Sequence, residues 1–134
     1  MPLPPPVNNL VQKLAPFIFG VAAFLAFAQV NERLVELPFP AVILIEVGLF
    51  FFASLLSCAL VPAQPTRAAT LGFLGAFTGV VLDIIIHPTV NGFERNLFPL
   101  EIAFHSIIAA PSFALGAFTW KAVITPFLHR GRNA

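Results

Sequence analysis

Apolar residues dominate four long stretches of the chain, and short polar joints separate these stretches. The stretches run from about Leu14 to Val30, Phe39 to Val61, Ala68 to His87 and Phe98 to Ile124. A helix that crosses a bilayer needs roughly 20 apolar residues, with a range of about 17 to 25. Within the bilayer, a segment satisfies its own backbone groups by forming a helix. The pattern therefore predicts four transmembrane helices.

The joints carry proline and polar residues, which mark helix ends: NERLVELPFP, PAQPTR and PTVNGFERNLFP. Joints this short place consecutive helices side by side and in opposite directions. The predicted fold is an all-α integral membrane protein, an antiparallel bundle of four transmembrane helices over residues 14–128. Residues 1–13 form a proline-rich N-terminal segment that we expect to be irregular, and residues 129–134 form a basic C-terminal tail.

Composition supports a membrane protein. Hydrophobic residues make up 58% of the chain and charged residues only 10%, whereas a soluble domain carries about 25% charged residues. The formal net charge of +1 gives no reason to expect a nucleic-acid partner. The expected partners are the lipid bilayer and other copies of the chain, as a homo-oligomer, or a larger membrane complex.

Lysine and arginine predict the orientation, because they are enriched in cytoplasmic loops. Two arginines, Arg33 and Arg95, fall on one side of the predicted topology. The other five basic residues fall on the opposite side, which holds both termini: Lys13, Arg67, Lys121, Arg130 and Arg132. We therefore expect both termini in the cytoplasm and, as the localisation, a bacterial inner membrane.

Five ionisable residues lie within or at the ends of the apolar stretches, at similar depth on the outer side. Asp83 and His87 are four residues apart at the end of the third stretch, and Glu101 and His105 repeat this spacing at the start of the fourth. Glu46 and His105 each lie about seven residues into their helices, or roughly 10 Å deep. The spacing of four places each acid and its histidine on one helix face.

Small residues share the faces that carry these ionisable groups. Gly72, Gly75 and Gly79 continue the Asp83–His87 face, and small residues at this spacing let helices pack closely. We therefore expect the ionisable groups to point inward, towards each other, with the large Phe, Leu and Ile residues towards lipid. The GAFTG stretch is interpreted as packing within the chain rather than as a dimer motif.

Three carboxylates and two imidazoles around one small volume suit a divalent transition metal such as zinc, iron or copper. His87 and His105 would supply nitrogen ligands, and Asp83 and Glu101 oxygen ligands. Glu46 would be a further ligand or a base that holds an imidazole in one tautomer.

The same residues suit proton transfer between acid and histidine, or pairs that only tie the helices together. The sequence thus leaves open a metal-binding protein with redox or hydrolytic chemistry, a small proton or ion transporter, and a non-catalytic subunit. The last two would work as an oligomer. Whether the protein is an enzyme also stays open.

Asp83 and His87 on one membrane helix, followed by His105, resemble the copper site of the membrane methane and ammonia monooxygenases. The resemblance covers these three residues and implies copper at them. His105 lies beyond a predicted loop, on another helix, which departs from the pattern of that family. We therefore assign the chain to no family.

Overall fold

The computed structural model describes residues 5–33, 36–61, 64–90, 93–94 and 98–132, with residues 5–9, 32, 90, 93, 94 and 132 described by their backbone alone. Four long helices are present in these ranges: α1 (Pro5–Arg33), α2 (Phe39–Leu60), α3 (Pro65–Ile86) and α4 (Phe98–Thr119). Spans long and apolar enough to cross a membrane, by length and composition, lie in α1, α2 and α3, and a fourth begins with α4 and runs from Phe98 to Gly131. The predicted all-α bundle of four transmembrane helices is confirmed.

Two smaller features complete the described chain. Strands β1 (Thr89–Val90) and β2 (Phe93–Glu94) form an antiparallel hairpin between α3 and α4, with Thr89 opposite Glu94. The sequence did not lead us to predict this hairpin, although Asn-Gly between two β-prone segments is a strong hairpin signal. After α4 the helix continues through a π-helical turn (Trp120–Ile124) into α5 (Thr125–Arg132).

Proline occupies the first turn of the helices, where it removes no helical hydrogen bond. Pro40 and Pro65 do so in α2 and α3. The expectation of an irregular N-terminal segment is wrong from Pro5 onward, because α1 begins at that residue. A helix can begin at a proline for the same reason. The expected tail from residue 129 is also helical as far as Arg132.

The four helices pack in the ring order α1, α2, α4, α3. Helices α2 and α3 follow one another in sequence but make only slight contact. The hydrogen bonds from His105 to Glu46 and from Ser54 to Phe113 both join α2 to α4, and each joins residues 59 positions apart. A constant offset means that α2 and α4 run parallel and in register, which brings residues at equal depth together.

Glycines allow the backbones of α1 and α3 to touch. A Cβ atom at Gly75 would lie 2.1 Å from the carbonyl oxygen of Phe17, and one at Gly20 would lie 2.2 Å from that of Gly72. Gly79 lies against Phe24 of α1 in the same way. The interpretation of GAFTG as packing within the chain is therefore confirmed.

Large apolar residues occupy both the outside and the centre of the bundle. Many face outward as expected, including Leu44, Phe52, Ile85, Ile107 and Leu115. The expectation that Phe faces lipid is wrong for four residues, because Phe24, Phe27, Phe50 and Phe113 are buried in the core. They fill the space that small residues leave, as Phe113 does against Gly72.

The close approach at Gly75 predicts that Gly75→Ala lowers the free energy of unfolding by about 1–3 kcal/mol, because the added methyl group meets backbone that must move. Thermal unfolding in detergent measures the effect. Gly48→Ala is the matched control, since a Cβ atom there meets nothing within 4 Å. An equal melting temperature for Gly75→Ala and the control would contradict this packing.

Candidate functional site

Glu46 and His105 occupy the same position in two parallel helices. Helices α2 and α4 both begin with Phe-Pro, at Phe39 and Phe98. Glu46 and His105 each follow that first residue by seven positions. Because α2 and α4 are in register, both side chains reach the same level, as the depth argument from the sequence predicted.

A hydrogen bond of 2.5 Å joins His105 Nδ1 to Glu46 Oε1. The Glu46 side chain is 1% exposed, and the His105 side chain is 13% exposed. With an ionised carboxylate, Nδ1–H donates to Glu46; with a protonated carboxyl group, the O–H donates to Nδ1. Either arrangement satisfies both groups, and burial without a partner would cost about 1–3 kcal/mol.

Aromatic rings surround the imidazole. Ring centroids of Phe24, Phe27 and Phe104 lie 5.1, 5.8 and 5.5 Å from that of His105, all in edge-to-face arrangements. Phe24 and Phe27 belong to α1, so His105 contacts residues of α1 and α2 from its place on α4. The sequence argument missed this enclosure, although Phe24 and Phe27 share one face of α1 at a spacing of three.

A pair of aromatic rings closes the bundle on the side of Glu46 towards the start of α1 and the end of α4, which we call the inner side. Phe50 lies one turn further along α2 and is fully buried, and its ring centroid is 5.4 Å from that of Phe113. Beyond this pair, Ser54 Oγ donates to the Phe113 carbonyl oxygen at 2.8 Å, and Ser57 Oγ donates to the Ser54 carbonyl oxygen at 2.9 Å. The inner half thus uses its hydroxyl groups to bind backbone.

Asp83 and His87 form a second pair, as their spacing predicted. His87 Nδ1 lies 3.1 Å from Asp83 Oδ1, and the His87 side chain is 46% exposed. Phe113 contacts Gly72, and α3 and α4 are antiparallel, so His105 lies at about the level of Val80. Asp83 is therefore about one helical turn nearer the outer end than the Glu46–His105 pair.

Glu101 is not the hydrogen-bonding partner of His105 Nδ1, although the two are four residues apart on α4; Glu46 takes that place. Glu101 is half-buried and lines an apolar groove on the bundle surface with Phe39, Phe104 and Ile107, among others. Gln29, at the end of the first predicted span, is exposed. The structure thus brings Glu46 to His105 and Asp83 to His87, and it places Glu101 at the groove.

Metal binding stays a prediction. Among the residues that the structure describes, which include all five candidates, no three His, Cys, Asp or Glu side chains come together. Each pair therefore supplies two protein ligands, whereas zinc sites use three or four. For His105 the three Phe rings occupy much of the remaining surroundings, which fits a metal poorly. We derive no chemistry through zinc, iron or copper.

Comparisons with family models, with curated proteins and with solved structures returned no match. The assignment of function therefore depends on the geometry of this site.

Replacing both members of the Glu46–His105 pair should be tolerated better than replacing one. We predict that Glu46→Leu and His105→Leu each lower the free energy of unfolding by about 1–3 kcal/mol, because each leaves a buried polar group without its partner. The double variant should lose less than the sum of the two. Unfolding in detergent, analysed as a double-mutant cycle, gives the coupling energy.

The comparison pair is Asp83→Ala with His87→Ala, in which Asp83 is buried and the His87 side chain is 46% exposed. Its coupling energy should be smaller than that of Glu46 and His105, because solvent screens the exposed imidazole. Additive effects at Glu46 and His105, with no coupling, would contradict the buried contact.

Proposed function

We propose that this small multi-pass membrane protein binds and releases a proton at the Glu46–His105 pair. The proposal includes both termini in the cytoplasm of a bacterial inner membrane, with the pair in the outer half of the bilayer. The proton step would belong to a small transporter or to a subunit of a membrane complex that works as an oligomer.

The single observation that carries the proposal is the 2.5 Å hydrogen bond between a buried carboxyl group and a part-buried imidazole. Ionisable residues within membrane spans are costly and are functional by default. Histidine is the side chain whose ordinary titration falls between about pH 5 and pH 8. The shared proton can lie on Glu46 or on His105. The net charge of the pair changes only when a proton binds to the pair or leaves it.

We expect the proton to enter and leave at His105, because its side chain is 13% exposed and that of Glu46 is 1% exposed. The Phe50–Phe113 pair lies on the inner side of Glu46, which favours access from the outer side. The titratable groups around this route are Glu101 on α4 and Asp83 and His87 on α3. Helix α1 contributes none between Lys13 and Glu32. Asp83 lies about one turn further out, and its partner His87, whose side chain is 46% exposed, would exchange protons with solvent.

Transport across the whole bilayer would require Phe50 and Phe113 to separate, because their rings lie against each other on the inner side of the pair. Among the described residues, the inner half of the bundle offers no acidic, basic or histidine side chain before its end, and its only ionisable group there is the buried thiol of Cys58. This favours a proton-binding step that is coupled to helix movement or to a neighbouring copy, over an open channel through one chain.

Infrared difference spectroscopy on the protein in lipid nanodiscs, titrated between about pH 5 and pH 8, tests proton binding. We expect carboxyl and imidazole bands that change together, because one hydrogen bond couples the two groups. Glu46→Gln should remove the carboxyl change and alter the imidazole change. Glu36→Gln is the matched control, since it removes an exposed carboxylate outside the proposed proton route, and it should retain both bands.

A spectrum that does not change with pH would overturn the proposal. So would a change that Glu46→Gln leaves intact. Metal content of the same chelator-free preparation separates the competing prediction: stoichiometric zinc, iron or copper that is lost in His105→Ala would favour a metal site instead.

A further inference from the structure

Acidic and basic residues are segregated to opposite ends of the bundle. All six acidic residues belong to the outer loops or the outer halves of the helices: Glu32, Glu36, Glu46, Asp83, Glu94 and Glu101. Five of the seven basic residues belong to the other end: Lys13, Arg67, Lys121, Arg130 and Arg132. We call these five residues the basic end. No acidic residue follows Glu101 in the sequence, so the basic end has no acidic counterpart there.

Packing around the single tryptophan brings parts of the basic end to one level. Trp120 packs against a small buried cluster of Cys58, Ala68 and Ala117. Arg67 directly precedes Ala68, and Lys121 directly follows Trp120. Both Arg67 and Lys121 are exposed. The start of α3 and the π-helical turn therefore present their positive charges at the same end of the bundle.

Helix α5 adds an exposed apolar surface beside these charges. Phe127 is 76% exposed, and Leu128 is also exposed, while His129 and Arg130 are exposed on the same short helix. The π-helical turn keeps α5 continuous with α4, and Thr125 Oγ1 donates to the Trp120 carbonyl oxygen at 3.0 Å. The fourth candidate span runs from Phe98 to Gly131 and so includes α5. Apolar and basic side chains together at the end of a membrane span are typical of the boundary between lipid acyl chains and headgroups.

We propose that the basic end binds the phosphate headgroups of anionic phospholipids in the leaflet that surrounds it. Lysine and arginine next to a membrane span attract anionic lipid, and the absence of acidic residues leaves this attraction uncompensated. Phe127 and Leu128 enter the boundary between headgroups and acyl chains, which removes them from water. Trp120 lies at the same level, where tryptophan is favoured.

Quenching of Trp120 fluorescence by brominated lipid measures this preference directly, because the chain has one Trp and it directly precedes Lys121 of the basic end. The full-length protein is reconstituted in mixed bilayers that contain brominated phosphatidylglycerol or brominated phosphatidylcholine at equal mole fraction. We expect the anionic lipid to bind about two- to fivefold more tightly per basic residue engaged. High salt should reduce the preference.

The variant Arg67→Gln with Arg130→Gln should lower the preference for the anionic lipid further than Lys121→Gln does by itself, because it removes two positive charges rather than one. Arg33→Gln with Arg95→Gln is the matched control, because it removes two positive charges from the opposite end and should leave the preference unchanged. Equal quenching of the unaltered protein by both lipids would overturn the proposal. An equal loss in the two double variants would also overturn it, since net charge alone would then explain the preference.

Discussion

The hydrogen bond between Glu46 and His105 is the interaction on which the outer half of this bundle depends. The carboxyl group and the imidazole are both costly within a bilayer. The structure holds them at the same depth, where each forms a hydrogen bond with the other. Because the partners belong to α2 and α4, the contact also fixes the register of these parallel helices. The hydrogen bond from Ser54 to Phe113 has the same register, eight residues further along both helices. The proposed proton chemistry and the register of α2 against α4 therefore share this contact.

Close packing elsewhere makes that contact possible. Lipid gives no hydrophobic reason for helices to associate, so small residues that let backbones touch take over this role. Gly20 and Gly75 draw α1 and α3 together, and Gly116 lets α2 approach α4 next to Ser54. The tight ring leaves room at its centre for Phe24, Phe27, Phe50 and Phe113. Those rings then enclose His105 and separate it from the inner half.

The four spans could be predicted from the sequence, because length and hydropathy decide them, and the Asp83–His87 contact could be predicted from a spacing of four. The equal depth of Glu46 and His105 also followed from counting. The choice of Glu46 over Glu101 as the partner of His105 could not be predicted, because it depends on how each helix is rotated about its axis. The same rotation buries four Phe residues that hydropathy alone places towards lipid.

Solid-state nuclear magnetic resonance on the protein in lipid bilayers tests the central contact most directly. Dipolar recoupling between ¹⁵N-labelled histidine and ¹³C-labelled glutamate side chains reports the separation of His105 Nδ1 from the Glu46 carboxyl carbon, with Glu46→Gln assigning the signal. We expect a strong coupling, since Nδ1 and Oε1 lie 2.5 Å apart. A His105 signal with no coupling to the Glu46 carboxyl carbon would contradict the account.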